Sequence, residues 1–326
     1  MGLASLMALS SLEICAGAGG QALGLERAGF GHAALVEIEP PACATLRLNR
    51  PNWNVVEGDL RLFDGSPYLG IDLLAGGVPC PPFSKAGKQL GSGDERDLFP
   101  EAIRLVDECR PKAVMLENVR GLLDAVFGDY RNKVEKQLIK LGYQPGWKLL
   151  NACDYGVSQL RPRVVFVGIR KDLAGQFEWP EPQKVQPPTV GELLYDLMKM
   201  NGWQGAERWR KQANMIAPTL VGGSKKHGGP DLGPTRARQA WATLGVDGLG
   251  LWDEAPPRDF VGMPRLTTRM AARIQGFPDD WQFFGKKTPV YRQIGNAFPP
   301  PVAAAVAGKI FAALTVRRSY SVFNIK

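Results

Sequence analysis

Ile71-Asp72-Leu73-Leu74-Ala75-Gly76-Gly77-Val78-Pro79-Cys80-Pro81-Pro82-Phe83-Ser84 reads as a buried strand that runs out into a cysteine caged by prolines. A short apolar run bounded by turn residues is the pattern of a strand covered on both faces. Proline fixes φ and pushes the residue before it into extended backbone, so the sequence sets Cys80 on a stiff, non-helical ledge. In open α/β sheets, ligands bind just beyond the carboxyl ends of the strands. A thiol placed there is a candidate nucleophile, and the competing reading is a small buried hydrophobe.

On either side, strand-like runs alternate with helical spacing, as in βα units around a mostly parallel sheet. Leu12 to Cys15 leads into the loop Ala16-Gly17-Ala18-Gly19-Gly20 and a helix from Gln21 to Ala28. Ala33 to Val36 is a second strand ending at Glu37, followed by a helix from Pro41 to Asn49, and Val55-Val56 leads to Gly58-Asp59. Beyond the cysteine, Phe99 to Cys109 and Tyr130 to Leu141 read as helices. Lys112 to Leu116, ending at Glu117-Asn118, and Arg163 to Ile169 read as strands. From about Trp179 to Pro264 the chain turns rich in Pro, Gly, Trp and basic residues with little periodicity, which predicts a smaller, irregular second domain. Helical spacing returns at Thr268 to Gln275 and again from Pro301 to Leu314.

With 326 residues, 44% hydrophobic and 22% charged, the chain has the composition of a globular protein of one or two domains. Forty Lys and Arg against 32 Asp and Glu leave a net charge of +8, which favours polyanionic partners. The five cysteines include no Cys-x-x-Cys pair, arguing against a disulfide framework or zinc site and for a reducing compartment. No apolar run approaches membrane-spanning length and no signal-peptide pattern opens the chain, so a cytoplasmic protein is expected.

Glycines in the 16–20 loop let backbone approach a ligand, and the helix that follows offers free N–H groups to an anion. A tight turn without a ligand reads equally well, and the spacing is not that of a dinucleotide fingerprint. Glu37 suits ribose hydroxyls, and Asp59 suits either an adenine amino group or a cap. Glu117, at a strand end beside the cysteine strand, is placed to hold a proton in a crevice of low dielectric, with Asn118 next to it. Arg161 and Arg163 alternate onto one face before a strand and suit phosphate or base contacts, or simply surface charge. Asn296-Ala297 is read as opening the last helix, either closing over a cofactor or merely turning the chain.

Gly-Ala-Gly-Gly (17–20), Pro-Cys-Pro-Pro-Phe-Ser (79–84), Glu-Asn-Val (117–119), Gln-Leu-Arg-Pro-Arg (159–163), Gln-Gly-Phe-Pro-Asp (275–279) and Gln-Ile-Gly-Asn-Ala (293–297) follow one another in this order. With them the chain resembles the DNA (cytosine-5) methyltransferase family, in the compact form of bacterial and phage restriction–modification enzymes. The resemblance implies an α/β fold: a Rossmann-like domain binding S-adenosyl-L-methionine, with a mostly parallel sheet, plus a smaller target-recognition domain and double-stranded DNA between them. The expected division is 1–180 catalytic, 181–284 recognition and hinge, and 285–326 returning to the catalytic domain. By the same resemblance Cys80 attacks C6 of an extruded cytosine and Glu117 binds and helps protonate N3. Arg163, with Arg161 beside it, supplies the activating cation and contacts the base, Asn118 orients the loop, and Pro79 positions the base. The methyl donor would be held by Cys15, Ala16, Gly17, Ala18, Gly19, Gly20, Glu37, Ile38, Asp59, Leu60, Pro79, Leu98, Asn296 and Ala297. Two positions depart from the family pattern: Cys15 and Ile38 stand where the family commonly has aromatic residues against the cofactor.

Ser84, Lys85, Lys88, Gln89 and Arg96 lie in a polar, glycine-rich segment suited to closing over DNA, or to an ordinary surface loop. Lys225, Lys226 and Arg236, with Arg161, are the remaining candidate DNA contacts, and Trp203, Trp209 and Trp241 are interleaved among basic residues as interface or as core. The chain is expected to act as a monomer, in functional pairing with a restriction endonuclease. A tRNA cytosine-5 methyltransferase is the alternative within the same chemistry, although the Cys-Phe-Thr signature of such enzymes is missing. A dinucleotide-dependent oxidoreductase is the alternative outside it.

Overall fold

The computed structural model describes residues 9–79, 97–222 and 229–321. Cys80, Ser84, Lys85, Lys88, Gln89, Arg96, Lys225 and Lys226 therefore lie outside the described residues. Seven strands form one sheet: β1 (Ser10–Ile14), β2 (Gly31–Glu37), β3 (Val55–Glu57), β4 (Leu73–Gly76), β5 (Ala113–Val119), β6 (Tyr143–Asn151) and β7 (Pro162–Arg170). Their order is β3-β2-β1-β4-β5-β7-β6, parallel through β5, with β7 antiparallel to both its neighbours. The order reverses between β1 and β4, which opens a crevice at their carboxyl ends.

Helices cover both faces. α1 (Gly20–Arg27), α2 (Pro40–Asn49), α3 (Phe99–Cys109) and α4 (Gly128–Lys140) are the crossovers. Successive residues of one strand point to opposite faces, and the two cores divide accordingly. Leu74, Val114 and Leu116 join Phe99, Leu105 and Val106 of α3 in one core. Leu73, Ala75, Ala113 and Met115 face Val302, Val306 and Ile310 of the C-terminal helix α10 (Pro300–Ser321) in the other.

The stretch expected to be irregular carries three short helices among irregular segments, α5 (Val190–Lys199), α6 (Ala206–Gln212) and α7 (Thr235–Thr243), and α8 (Thr268–Ile274) and α9 (Lys287–Asn296) follow it. A capping box starts α5, with the Thr189 side chain accepting from the Glu192 N–H and Glu192 accepting in return from the Thr189 N–H. Trp203, Trp209 and Trp241 are core residues here, packed with Val190, Leu194, Met270, Ile294 and Ala297. That core crosses the boundary expected at 284. Gln293 to Asn296 closes α9 rather than opening the last helix, because α10 begins only at Pro300. Among the described residues one stretch, Lys287–Thr315, is long and apolar enough to cross a membrane by length and composition, against the sequence expectation. With 61% of its most apolar window buried, it is core of this fold.

Candidate active site

The strand ends converge on a cavity of about 310 Å³. It is lined from β1 by Glu13 and the 15–18 loop, from β2 by Glu37 and Ile38, and from β3 by Gly58 to Arg61. Gly77 and Pro79 beyond β4, Glu117 of β5, Leu98 and the Asn296–Phe298 segment complete it. Every expected cofactor residue lines this cavity except Gly19, which lies behind the wall. Gly19 has φ +86°, and a Cβ there would stand 2.8 Å from both Leu46 and Trp281, so only glycine fits. The Trp281 indole N–H donates to the Ala18 carbonyl at 3.2 Å, bracing the loop from 263 residues away. Cys15 takes a left-handed φ of +50° and its buried thiol is pushed up, so it stays protonated.

Glu37 holds the loop as well as facing the cavity. It accepts from the N–H groups of Gly17 (2.7 Å), Ile38 (2.9 Å) and Glu39 (2.8 Å). Burial raises its pKa and these donors oppose the rise. Asp59 does both things the sequence allowed, accepting from the Arg61 N–H at 3.0 Å as a cap while lining the cavity.

Two lining residues escaped sequence reading. Glu13 and Gln21 are buried, and none of their side-chain oxygen and nitrogen atoms makes a hydrogen bond among the described residues. Desolvation drives the Glu13 carboxyl well above the usual range, eased but not offset by the Ala22 amide. The available signal was a charged residue inside an apolar strand, Leu12-Glu13-Ile14.

At the other end of the cavity, Glu117 and Arg163 meet across the antiparallel pair of β5 and β7. Val119 is registered with Arg163, and Glu117 two residues earlier shares its face. Arg163 Nε donates to Glu117 Oε1 at 2.7 Å, with both side chains nearly buried. Oε2 faces Gly77. Burial raises the Glu117 pKa against the pull of Arg163 and Arg161. Asn118 Nδ2 donates to the Val78 carbonyl at 3.0 Å, tying the strand that bears the acid to the chain just before Pro79.

Arg161 corrects an expectation. Only 1% exposed, it donates to the carbonyls of Leu220 (2.8 Å), Gly295 (2.6 Å) and Ala297 (3.2 Å), so its fork is spent inside the protein rather than offered to phosphate or base. Gln159 accompanies it, accepting from the Leu220 N–H and donating to Gln275. Arg236 is exposed on α7.

A family model for C-5 cytosine-specific DNA methylase matches residues 9–243 and 252–312. The chain belongs to that family. It is 66% identical over 311 residues to the Type II methyltransferase M.NgoMIV of Neisseria gonorrhoeae, covering 94% of this chain and 99% of that one. To M.NaeI of Lentzea aerocolonigenes it is 56% identical over 317 residues, covering 95% and 76%. Among solved structures, one described as a prophage-encoded DNA modification methyltransferase of E. coli matches with TM-score 0.67 and 26% identity, covering 94% and 99%. DNMT2 of Spodoptera frugiperda shares the fold at TM-score 0.65 and 17% identity, over 93% and 99%.

Members of this methylase family take their methyl group from S-adenosylmethionine. The cavity has a volume suited to a small molecule, about 300 Å³ or more, and its chemistry fits this one. Unpartnered Glu13 and Gln21 offer acceptors to an ammonium group. Glu37 suits ribose hydroxyls, Asp59 an adenine amino group, and the start of α1 a carboxylate.

Proposed function

We propose that this methylase converts a specific cytosine of duplex DNA to 5-methylcytosine, as the modifying partner of a Type II restriction endonuclease. Support comes first from the Glu117–Arg163 pair at the cavity wall, with Asn118 binding the chain that leads into Pro79 and Cys80. A cytosine must leave the stack to reach such a site, because C5 and C6 are shielded within a duplex. Cys80 attacks C6 as its thiolate, a form scarce near neutral pH without a nearby cation, and Arg163, beside Glu117, is the cation assigned to supply that field. Glu117, whose burial favours its protonated form, donates toward N3 and makes C6 more electrophilic, and thiolate addition there leaves C5 nucleophilic. Bound S-adenosylmethionine supplies an electrophilic methyl group at that carbon. Loss of the C5 proton and release of Cys80 then free the product. Pro79 walls the base pocket. Asn118 holds the loop, and Arg161 keeps the 220 and 295 segments in place behind it.

The finer reading is of a cytoplasmic monomer with its recognition region spanning roughly 181–284, supported by the helical cluster found there. The Type II names of its relatives and the missing Cys-Phe-Thr signature favour DNA over tRNA. Bisulfite sequencing of DNA from a host expressing the gene is expected to reveal one methylated motif. On that motif carrying 5-fluorocytosine, a denaturation-resistant adduct is expected with the natural chain and none with Cys80→Ala. Glu117→Gln is expected to slow turnover by about 10²–10⁴. An active enzyme that forms no adduct through Cys80 overturns the mechanism.

A further inference from the structure

Helix α7 (Thr-Arg-Ala-Arg-Gln-Ala-Trp-Ala-Thr) carries two arginines and no acidic residue. Fully buried Trp241 fixes one side of it in the core with Leu232, Leu244 and Val246. At about 100° per residue, Arg236, Gln239, Ala240 and Thr243 fall together in one stripe away from that core, and all four are exposed. The Thr243 hydroxyl donates back to the Ala240 carbonyl at 2.7 Å. Arg236 and Gln239, three residues apart, make no hydrogen bond or ion pair among the described residues. Arg238 is committed elsewhere, its stem against Gly248 and its charge toward Asp247.

The helix also starts beside the active site. Gly233, at its entrance, packs on Val221, and the next residue, Gly222, lies against Asn296 at the cavity. Residues 244–251, which support α7 through Leu244, Val246 and Gly248, are the internal stretch that the family model leaves unmatched.

We propose that α7 reads the target sequence, lying in the major groove with Arg236 and Gln239 against base edges; this rests on the DNA-methylating function above. An α-helix fits the major groove, where arginine pairs bidentately with guanine O6 and N7 and glutamine with adenine N6 and N7. Ala240 beside them lets the helix approach closely. The exposed stripe holds no aromatic or large apolar residue of the kind that anchors a protein partner. Arg236 specifies a guanine, and Gln239 contacts the neighbouring pair.

The test uses the full chain and the duplex motif mapped by bisulfite sequencing. kcat/KM is measured for Arg236→Ala and Gln239→Ala on that motif and on duplexes with each base pair replaced in turn. S-adenosylmethionine affinity and thermal unfolding serve as controls for the fold. Arg236→Ala is expected to lose about 10- to 100-fold on the mapped motif, a loss of 1–3 kcal/mol, and to lose discrimination at one guanine position. Donor affinity is expected to stay unchanged. Uniform weakening across all duplexes, with a shallower salt dependence, makes Arg236 a phosphate contact and overturns the proposal. Unchanged discrimination in both variants overturns it equally. If the natural chain leaves no 5-methylcytosine in its host, the functional reading fails instead.

Discussion

Glu13 is buried with no side-chain partner among the described residues, and burial raises its folded pKa well above the ordinary value of 4.5 despite the Ala22 amide. Above that value the unfolded chain releases the proton while the folded chain retains it, so stability falls as pH rises through the window up to the folded pKa. Without donor, Glu13→Gln is expected to flatten this fall and to gain about 1–3 kcal/mol at pH 8. The same change is expected to weaken S-adenosylmethionine binding, because a neutral amide replaces the carboxylate that would pair with its ammonium. Urea unfolding at two pH values and a calorimetric donor titration check the two halves. If Glu13→Gln is no more stable at pH 8 and binds donor normally, Glu13 has another partner. The place of Glu117 at the cavity was legible in the sequence because a strand end marks it. Glu13 was not, because nothing in a linear string says which charged residue in a strand lacks a partner.

Between elements, α1 and α10 pack closely. A Cβ on Gly24 would stand 2.4 Å from the Ala303 Cβ and 2.8 Å from two backbone atoms of α10. Gly24→Ala is therefore expected to cost about 1–3 kcal/mol by overpacking, although alanine favours an isolated helix. A urea midpoint at or above that of the natural chain would show that the helices separate freely. This docking sets α10 against the sheet, and α3 runs over Phe99–Cys109 as its spacing predicts. β6 was illegible because Pro145 and Gly146 read as a loop. An edge strand tolerates both, and β6 pairs only with β7. The helices of 190–243 were hidden by frequent glycine and proline between them, and the Thr189–Glu192 capping box was the overlooked cue.

Across the whole molecule, Arg161 joins the start of β7 to the 220 segment and to the link between α9 and α10. Lysine offers a point charge in place of a planar fork. Arg161→Lys is expected to leave at least one buried carbonyl unpaired, destabilising the chain by about 1–3 kcal/mol. Its DNA affinity is expected to keep the natural salt slope. A phosphate contact would instead remove about 0.9 from the slope of log affinity against log salt. Filter binding from 50 to about 200 mM salt distinguishes the two. The sequence marked Arg161 as important, yet not that its partners would be carbonyls far along the chain.

The reach of Trp281 to Ala18 has a consequence in time. The donor loop leaves the ribosome before its brace, which lies 263 residues later. At about 5–20 residues per second, the loop waits on the order of ten seconds to a minute for that indole. A nascent chain stopped short of Trp281 carries the donor loop without its support. Newly made molecules thus begin to hold donor firmly only once Trp281 has emerged.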